Sequence, residues 1–334
     1  MGTDFLIVGD IHWRAVNPRA RTDDFRAALT AKLLEVFGLA RHHRCAAIIQ
    51  TGDLTDTAGL QLSTIGDLME ILRQAPCPIL AVPGNHDTWG ANPDTLPRTP
   101  FGLLARGGWL QDVSRQPLHL ISAGGMPIAI TGHAYDAETD LEPGQYAAPA
   151  AEPGTFRIHI THGMLLHRTP GIQIRHTTLD QIAGLSELPE VLVNGHEHLT
   201  HWVQRIRDSL QDTLVLKPGA LCRLTAHIEE IHRPVQVMLL TVTETGETQV
   251  QDITLTTARP GEEILSRDHL TEVAEREDRL AEFLTLLQDQ GEMKFLNSLE
   301  MAERLAGEMQ LPSGVLTEAR SRLTRAREEL GVAN

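Results

Sequence analysis

A chain of 334 residues with 41% apolar and 22% charged residues is long enough for one large core and a smaller appendage. Its formal net charge of −15 excludes a protein that coats nucleic acid by charge alone, but not an enzyme that grips phosphates through bound cations. The three cysteines, Cys45, Cys77 and Cys222, are too far apart and too irregular for a disulfide framework or a thiolate zinc site.

No run reaches the roughly 18–20 apolar residues of a membrane span. The N-terminus enters Asp4-Phe5-Leu6-Ile7-Val8 without a basic region and cleavage site, so a cytoplasmic protein without a membrane partner is expected.

Phe5 to Val8 reads as a short buried strand ending in Gly9-Asp10-Ile11-His12. Side chains two apart in an extended segment share a face, so Asp10 and His12 can begin a metal site; an Asx turn with a surface histidine fits the same residues. The next loop carries Trp13, Arg14, Arg19 and Arg21, which suit either a polyanionic substrate or a solvated surface. Thr22-Asp23-Asp24 then supplies N-cap chemistry for an amphipathic helix to about Arg41, with Phe25, Leu29, Leu33, Val36 and Phe37 inward. His42 and His43 follow its end, where cations suit the helix dipole, and read as structural. Cys45 to Thr51 is a second strand, ending in Gly52-Asp53-Leu54-Thr55-Asp56. A second helix from about Leu60 to Arg73 is stopped by Pro76. The third strand, Pro78 to Val82, breaks into Pro83-Gly84-Asn85-His86-Asp87. That loop sets an amide oxygen, an imidazole and a carboxylate side by side: a hard metal ligand, a proton donor and a group to orient the donor. Strand and helix alternate, which is the α/β pattern, and in such folds ligands collect beyond the carboxyl ends of strands.

Phe101 to Leu110 reads as a short helix with a Gly-Gly break, and Leu118–Ser122 with Met126–Thr131 as a hairpin across Gly124-Gly125. Tyr135 to Gly154, rich in Pro, Gly, Ala and Glu, reads as an exposed insertion without assigned function. Phe156 to His162 is a strand ending in His162-Gly163, with His159 facing a layer of the fold. The long loop beyond it carries His167, Arg168, Arg175 and His176 and reads as a substrate flap or a plain surface loop. Pro189 to Val193 leads into Asn194-Gly195-His196-Glu197-His198, placing two imidazoles on one side of an extended segment. Thr213–Leu216, Gln236–Val242 and Thr248–Leu255 read as a later, mostly antiparallel group. The turn Pro218-Gly219-Ala220-Leu221-Cys222-Arg223 can run back beside the site and offer Arg223 to a phosphate. At Arg259-Pro260-Gly261 the composition shifts to Glu, Arg and Leu with helical periodicity, dividing the chain into residues 1–258 and a helical region, 259–334. There Leu280, Phe283, Leu284 and Leu287 form one stripe, and Phe295, Leu299, Ala302, Leu305 and Met309 another. Pro312-Ser313-Gly314 precedes a last helix with Val315, Ala319, Leu323, Ala326 and Leu330. Such apolar faces pack on each other, on the core or on a partner.

Collected at strand ends are Asp10, His12, Asp53, Asn85, His86, His162, His196 and His198. Mixed carboxylate, amide and imidazole ligation suits manganese first, with iron, zinc or magnesium as alternatives. With His86 set aside as the proton donor, the other seven exceed the need of one ion and fit two ions about 3.5–4 Å apart sharing a carboxylate, with Asp53 the natural bridge.

In order and type these motifs resemble the five motifs of the calcineurin-like metallophosphoesterases. The resemblance implies a four-layer α/β/β/α sandwich, one ion on Asp10, His12, Asp53 and His198, and another on Asp53, Asn85, His162 and His196. It further implies a metal-bridging hydroxide attacking phosphorus, with His86 assisting the leaving oxygen and Asp87 steering its imidazole. Asp56-Thr57-Ala58 departs from the protein-phosphatase pattern, and Asp56 stands where purple acid phosphatases carry Tyr. Gly195-His196-Glu197-His198, the Pro218-Gly219-Ala220 turn and the Asn92–Leu104 segment are similar to the SbcCD nuclease-subunit family and its phage relatives. That likeness implies a manganese-dependent DNA exonuclease of the SbcD-like, DNA-repair type, with a helical C-terminus docking an SMC-like coiled-coil ATPase or a second copy. Arg14, Arg19, Arg21, Arg175, His176 and Arg223 are then expected to face DNA. Asp56 stands where many such nucleases carry a second catalytic histidine. Gly52-Asp53-Leu54-Thr55-Asp56 also resembles phosphodiesterases of small substrates, including cyclic nucleotides, and a non-catalytic binding subunit is a third reading.

Overall fold

The structure, a computed structural model, describes residues 2–122, 124–171, 173–199, 201–207 and 212–267, then 303, 306–307 and 309–330, the last eight of these as backbone. In chain order the strands are β1 (Thr3–Val8), β2 (Ala47–Gln50), β3 (Ile79–Ala81), β4 (Gln111–Asp112), β5 (Leu118–Ile121), β6 (Pro127–Gly132) and β7 (Phe156–His162). They continue as β8 (Leu165–Leu166), β9 (Thr177–Thr178), β10 (Val191–Gly195), β11 (Trp202–Arg207), β12 (Asp212–Lys217), β13 (Gln236–Val242) and β14 (Thr248–Thr254). The helices are α1 (Phe25–His42), α2 (Leu62–Leu72), α3 (Pro100–Arg106), α4 (Leu179–Ala183), α5 (Ile228–His232), α6 (Gly261–Ile264) and α7 (Ser313–Leu330).

Two six-stranded sheets result, ordered β14-β13-β1-β2-β3-β4 and β11-β12-β10-β7-β6-β5. In the first, β1 to β4 are parallel while β13 and β14 join antiparallel. In the second, β6, β7, β10 and β12 are parallel, with antiparallel β5 and β11 at the edges. The central strands are apolar on both faces, as parallel strands must be when both faces are covered. On β1, Phe5 and Ile7 turn inward to meet Ile158, Ile160, Val193 and Leu216 of the second sheet. The alternate residues Leu6 and Val8 turn outward to Leu29 and Leu33 of α1, with Leu68 of α2 and Phe101 of α3 in the same core. Beyond the second sheet, Leu192 and Val215 pack with Tyr146, Leu165 and Ile182 of α4. The layers are therefore α/β/β/α. Asp24 caps α1 by accepting from the Ala27 amide at 2.9 Å, and Arg41 and His42 occupy its last turn.

Several sequence expectations change. The later strands form no single group: β12 lies parallel to β10 in one sheet, and β13 and β14 complete the other. Their polarity depends on long-range partners that local alternation does not encode. The 135–154 segment is not simply exposed, since Asp140, Gln145 and Tyr146 are buried and Tyr146 donates to Asp140 at 2.7 Å. The 167–176 loop is closed at its neck, where β8 pairs with β9. The chain divides into two compact units, Met1–Ser266 and Arg267–Asn334. In the second, Ala319 of α7 is buried and Met309 is exposed; the other stripe residues named above lie outside the described residues or their described side chains, apart from half-buried Val315. Among the described residues no helix is long and apolar enough to cross a membrane.

Candidate metal centre

The carboxyl ends of β1, β2, β7 and β10 meet where the two sheets face each other, and the loops beyond them carry the expected ligands. Asp10, His12, Asp53 and His198 form one group whose ligand atoms lie within 4.8 Å of one another. Within it His198 Nε2 is 3.2 Å from Asp10 Oδ2 and 2.9 Å from His12 Nε2, which is 3.6 Å from Asp53 Oδ2. Asp53, His162 and His196 form the second group. There His162 Nε2 stands 3.3 Å from Asp53 Oδ2 and 3.1 Å from Asn85 Oδ1, and His196 Nδ1 is 2.9 Å from that amide oxygen. Ligands about 2.1 Å from one ion stand roughly 3–3.5 Å from each other, and these separations match. Asp53 belongs to both groups, the position of a shared carboxylate.

The neighbours fix which ring nitrogen faces each cluster. His162 Nδ1 lies 2.8 Å from the Thr51 carbonyl, which can only accept, so Nδ1 carries a proton and Nε2 is the nitrogen turned to Asp53 and Asn85. The His-x-His segment does not keep two imidazoles on one side of a strand. His196 has φ 80°, and its ring joins His162 while His198 joins Asp10 and His12. His12 and Asp53 are left-handed as well, at φ 51° and 49°. Non-glycine residues in that region are strained, and such strain gathers at functional sites. A Cβ on Gly84 would run into the Asp53 carboxylate and one on Gly52 into the His162 ring, so both motif glycines are required by close approach.

The electrostatics suit a cation. Burial alone would raise the Asp10 and Asp53 carboxyls, but His162 and its neighbours hold both below the usual carboxylate range. Burial likewise disfavours a charged His162, yet Asp53 and Asp10 lift it to about 9; desolvation and the neighbouring His162 lower half-buried His196 to about 4. Two buried carboxylates thus draw positive charge into the centre, and oxygen and imidazole donors around them fit divalent ions.

His86 is exposed, with its ring 4.8 Å from that of His12. Its Nδ1 bonds the Asp56 carbonyl at 2.7 Å. Asp87 does not steer it, contrary to the resemblance. The Asp87 carboxylate is buried and accepts from the amides of Gly84, Leu54 and Thr55 and from Thr55 Oγ1, tying the two loops together from beneath. Asp56, read from the sequence as a departure from related patterns and not as a site residue, lies beside His12 and His86. Its Oδ1 lies 3.5 Å from His12 Nδ1 and 3.2 Å from Arg14 Nη1, while its carbonyl holds His86.

The expected substrate contacts divide. Arg14 is partly exposed beside Asp56, and Arg19 is exposed on the same loop. Arg175 is exposed and donates to the Ala137 carbonyl at 2.7 Å; half-buried His176 turns back to Ile174. Arg21 and Arg223 are buried and not offered to a substrate. Arg21 pairs with Asp23, and Arg223 spends its donors on the carbonyls of Glu230, Arg259 and Arg233. Trp13 is likewise core, its Nε1 bonded to the Thr64 carbonyl at 2.8 Å. Nothing local distinguishes these from exposed residues, because their partners come from distant segments. Also missed is Tyr135, whose ring lies 5.7 Å from His196 and 6.0 Å from His162. So is Asn194, which receives Thr161 Oγ1 and donates to Gly163, fixing the junction behind His162.

A family model described as calcineurin-like phosphoesterase matches residues 3–217, from β1 to the end of β12. Among curated proteins none matches. The crystal structure of TT1561 of Thermus thermophilus is similar in part: 12% identical, TM-score 0.43, covering 75% of this chain and 99% of that one. A second crystal structure is 15% identical at the same TM-score and covers 76% and 100%. The family match spans well over half the sequence and every residue of both ligand groups, and the chain therefore belongs to the calcineurin-like phosphoesterases, a family of metal-dependent phosphoester hydrolases.

Proposed function

We propose that the protein is a phosphodiesterase acting on DNA, of the SbcD-like type, with two divalent ions, manganese first, held by Asp10, His12, Asp53 and His198 and by Asp53, Asn85, His162 and His196. A pair of such ions supplies charge neutralisation at the phosphate and activates water at neutral pH. The chain's own residues do the rest. Because the Asp56 carbonyl takes the His86 Nδ1 proton, the imidazolium form presents Nε2–H outward, ready to protonate a departing oxygen. Arg14 adds a cation beside that position. The observation that carries the reading is His86, an exposed imidazole fixed at the rim of a buried ligand set.

An open centre supports a polymeric substrate. Asn85, His196 and His198 are partly exposed and His86 is exposed beside them. The region after Ser266 is proposed, on the family likeness, to dock a coiled-coil ATPase or a second copy. One observation favours a small diester or cyclic nucleotide instead: Asp56 puts a carboxylate where related nucleases have a second imidazole.

Hydrolysis with Mn2+ of single-stranded DNA, double-stranded DNA, 2′,3′-cyclic AMP and bis-p-nitrophenyl phosphate separates these readings. DNA cleavage lost in Asp53→Asn, and reduced by on the order of 10²–10⁴ in His86→Ala, is expected. Turnover of the small diesters alone would replace the nuclease by the second reading.

A further inference from the structure

Four tryptophans are present in the chain, and one, Trp89, follows the Gly84-Asn85-His86-Asp87 motif with about half of its surface exposed. Trp89 is 52% exposed, whereas Trp13 is 1% exposed and buried in the core. It follows His86 by three residues, so its Cα lies within about 11 Å of that of His86. Its ring crosses to the neighbouring ligand loop. A Cβ on Gly59 would come 2.9 Å from Trp89 Cη2, and Gly59 stands three residues beyond Asp56, whose carbonyl holds His86. The backbone beneath the ring is fixed: the Trp89 amide donates to Thr95 Oγ1 at 3.0 Å, and its carbonyl accepts from the Asn92 amide at 3.2 Å. Scattered exposed apolar side chains need no explanation in themselves. An indole seated on the glycine of one motif loop, on a pinned turn three residues along the chain from exposed His86, is different. It is an aromatic surface whose conformational cost is already met before a ligand arrives.

We propose that Trp89 is a specificity-determining residue that stacks on the nucleobase adjoining the scissile phosphate, on the His86 side. The proposal rests on the nuclease reading above and names what the site recognises beyond phosphate. Every base has a π-face, so such a contact selects for a base without selecting a sequence.

The test pairs binding with turnover. The probes are a thymidine dinucleotide and its analogue with the base on the leaving side replaced by a tetrahydrofuran abasic residue. Quenching of tryptophan fluorescence by the full dinucleotide is expected in the wild type, is lost in Trp89→Phe, and requires no hydrolysis. In the Mn2+-loaded protein, Trp89→Ala should raise KM for the full dinucleotide on the order of ten-fold and leave KM for the abasic analogue and kcat unchanged, with Trp89→Phe restoring most of the loss. Equal effects on both dinucleotides, or quenching that persists in Trp89→Phe, would overturn the proposal. Quenching at Trp89 without hydrolysis of any phosphodiester would retain the stacking contact and reject the nuclease, so the two failures are distinguishable.

Discussion

Asp56 faces the ring nitrogen of His12 turned away from Asp10 and His198, in a third cluster of metal-capable side chains with His12 and His86, and that position explains why a carboxylate suits it. Its Oδ1, 3.5 Å from His12 Nδ1, favours the tautomer with a proton there and leaves Nε2 to face the ion site. The same oxygen holds Arg14, and the backbone of the same residue holds His86. Asp56→Asn keeps the carbonyl and removes the charge. Manganese affinity should fall about 10–100-fold while His86 stays in place, as measured by Mn2+ titration and by the crystal structure of the variant. The residues that gather at the centre are legible in the sequence because few residue types suit such ions and they fall at strand ends. Asp87 was not: beside His86 in sequence, it faces the opposite way, into the amides of Gly84, Leu54 and Thr55. Arg21 and Arg223 likewise look like any loop arginine until their partners are known.

At the level of single elements, β7 carries two histidines with opposite tasks. His162 at its end faces the centre, while His159 is buried between Thr131 Oγ1 at 2.7 Å and the Gln145 carbonyl at 3.1 Å. Burial, with smaller contributions from His133 and Arg157, depresses the His159 imidazole to about 4. Above pH about 6.5 the ring is neutral folded and unfolded, and it costs nothing. Between about 6.5 and 4 the unfolded chain binds a proton that the folded chain refuses, so stability falls as pH falls, by on the order of 3 kcal/mol over that window. His159→Gln cannot titrate, and denaturant unfolding between pH 7 and 4 should show a flatter acid limb than the wild type. An identical slope would mean the ring is not the buried base described. Strand and helix periodicity located most elements of the first sheet. It missed α4, α5 and α6, each five residues or fewer and too short to show a period.

Across the whole molecule, neither sheet holds the centre alone. β1, β2 and β3 lead to Asp10, His12, Asp53 and Asn85, and β7 and β10 to His162, His196 and His198. The loop beyond β12 of the second sheet reaches the first sheet at the site itself: its Leu221 amide donates to the Asp10 carbonyl at 2.9 Å, and its Ala220 amide to the His198 carbonyl at 3.1 Å. The order of motifs made the α/β class legible, but the meeting of two sheets at one edge is a tertiary fact that no local spacing reveals. An ion bound at that junction ties the halves of the fold together, and ligands that bind only the folded chain stabilise it. The most direct measurement is therefore calorimetric titration of metal-free protein with Mn2+, with the EPR spectrum followed at each equivalent. A two-ion centre bridged by Asp53 predicts two equivalents per chain and a spin-coupled spectrum at saturation, with the coupling lost in Asp53→Asn. One equivalent, or two uncoupled ions unaffected by Asp53→Asn, would contradict it.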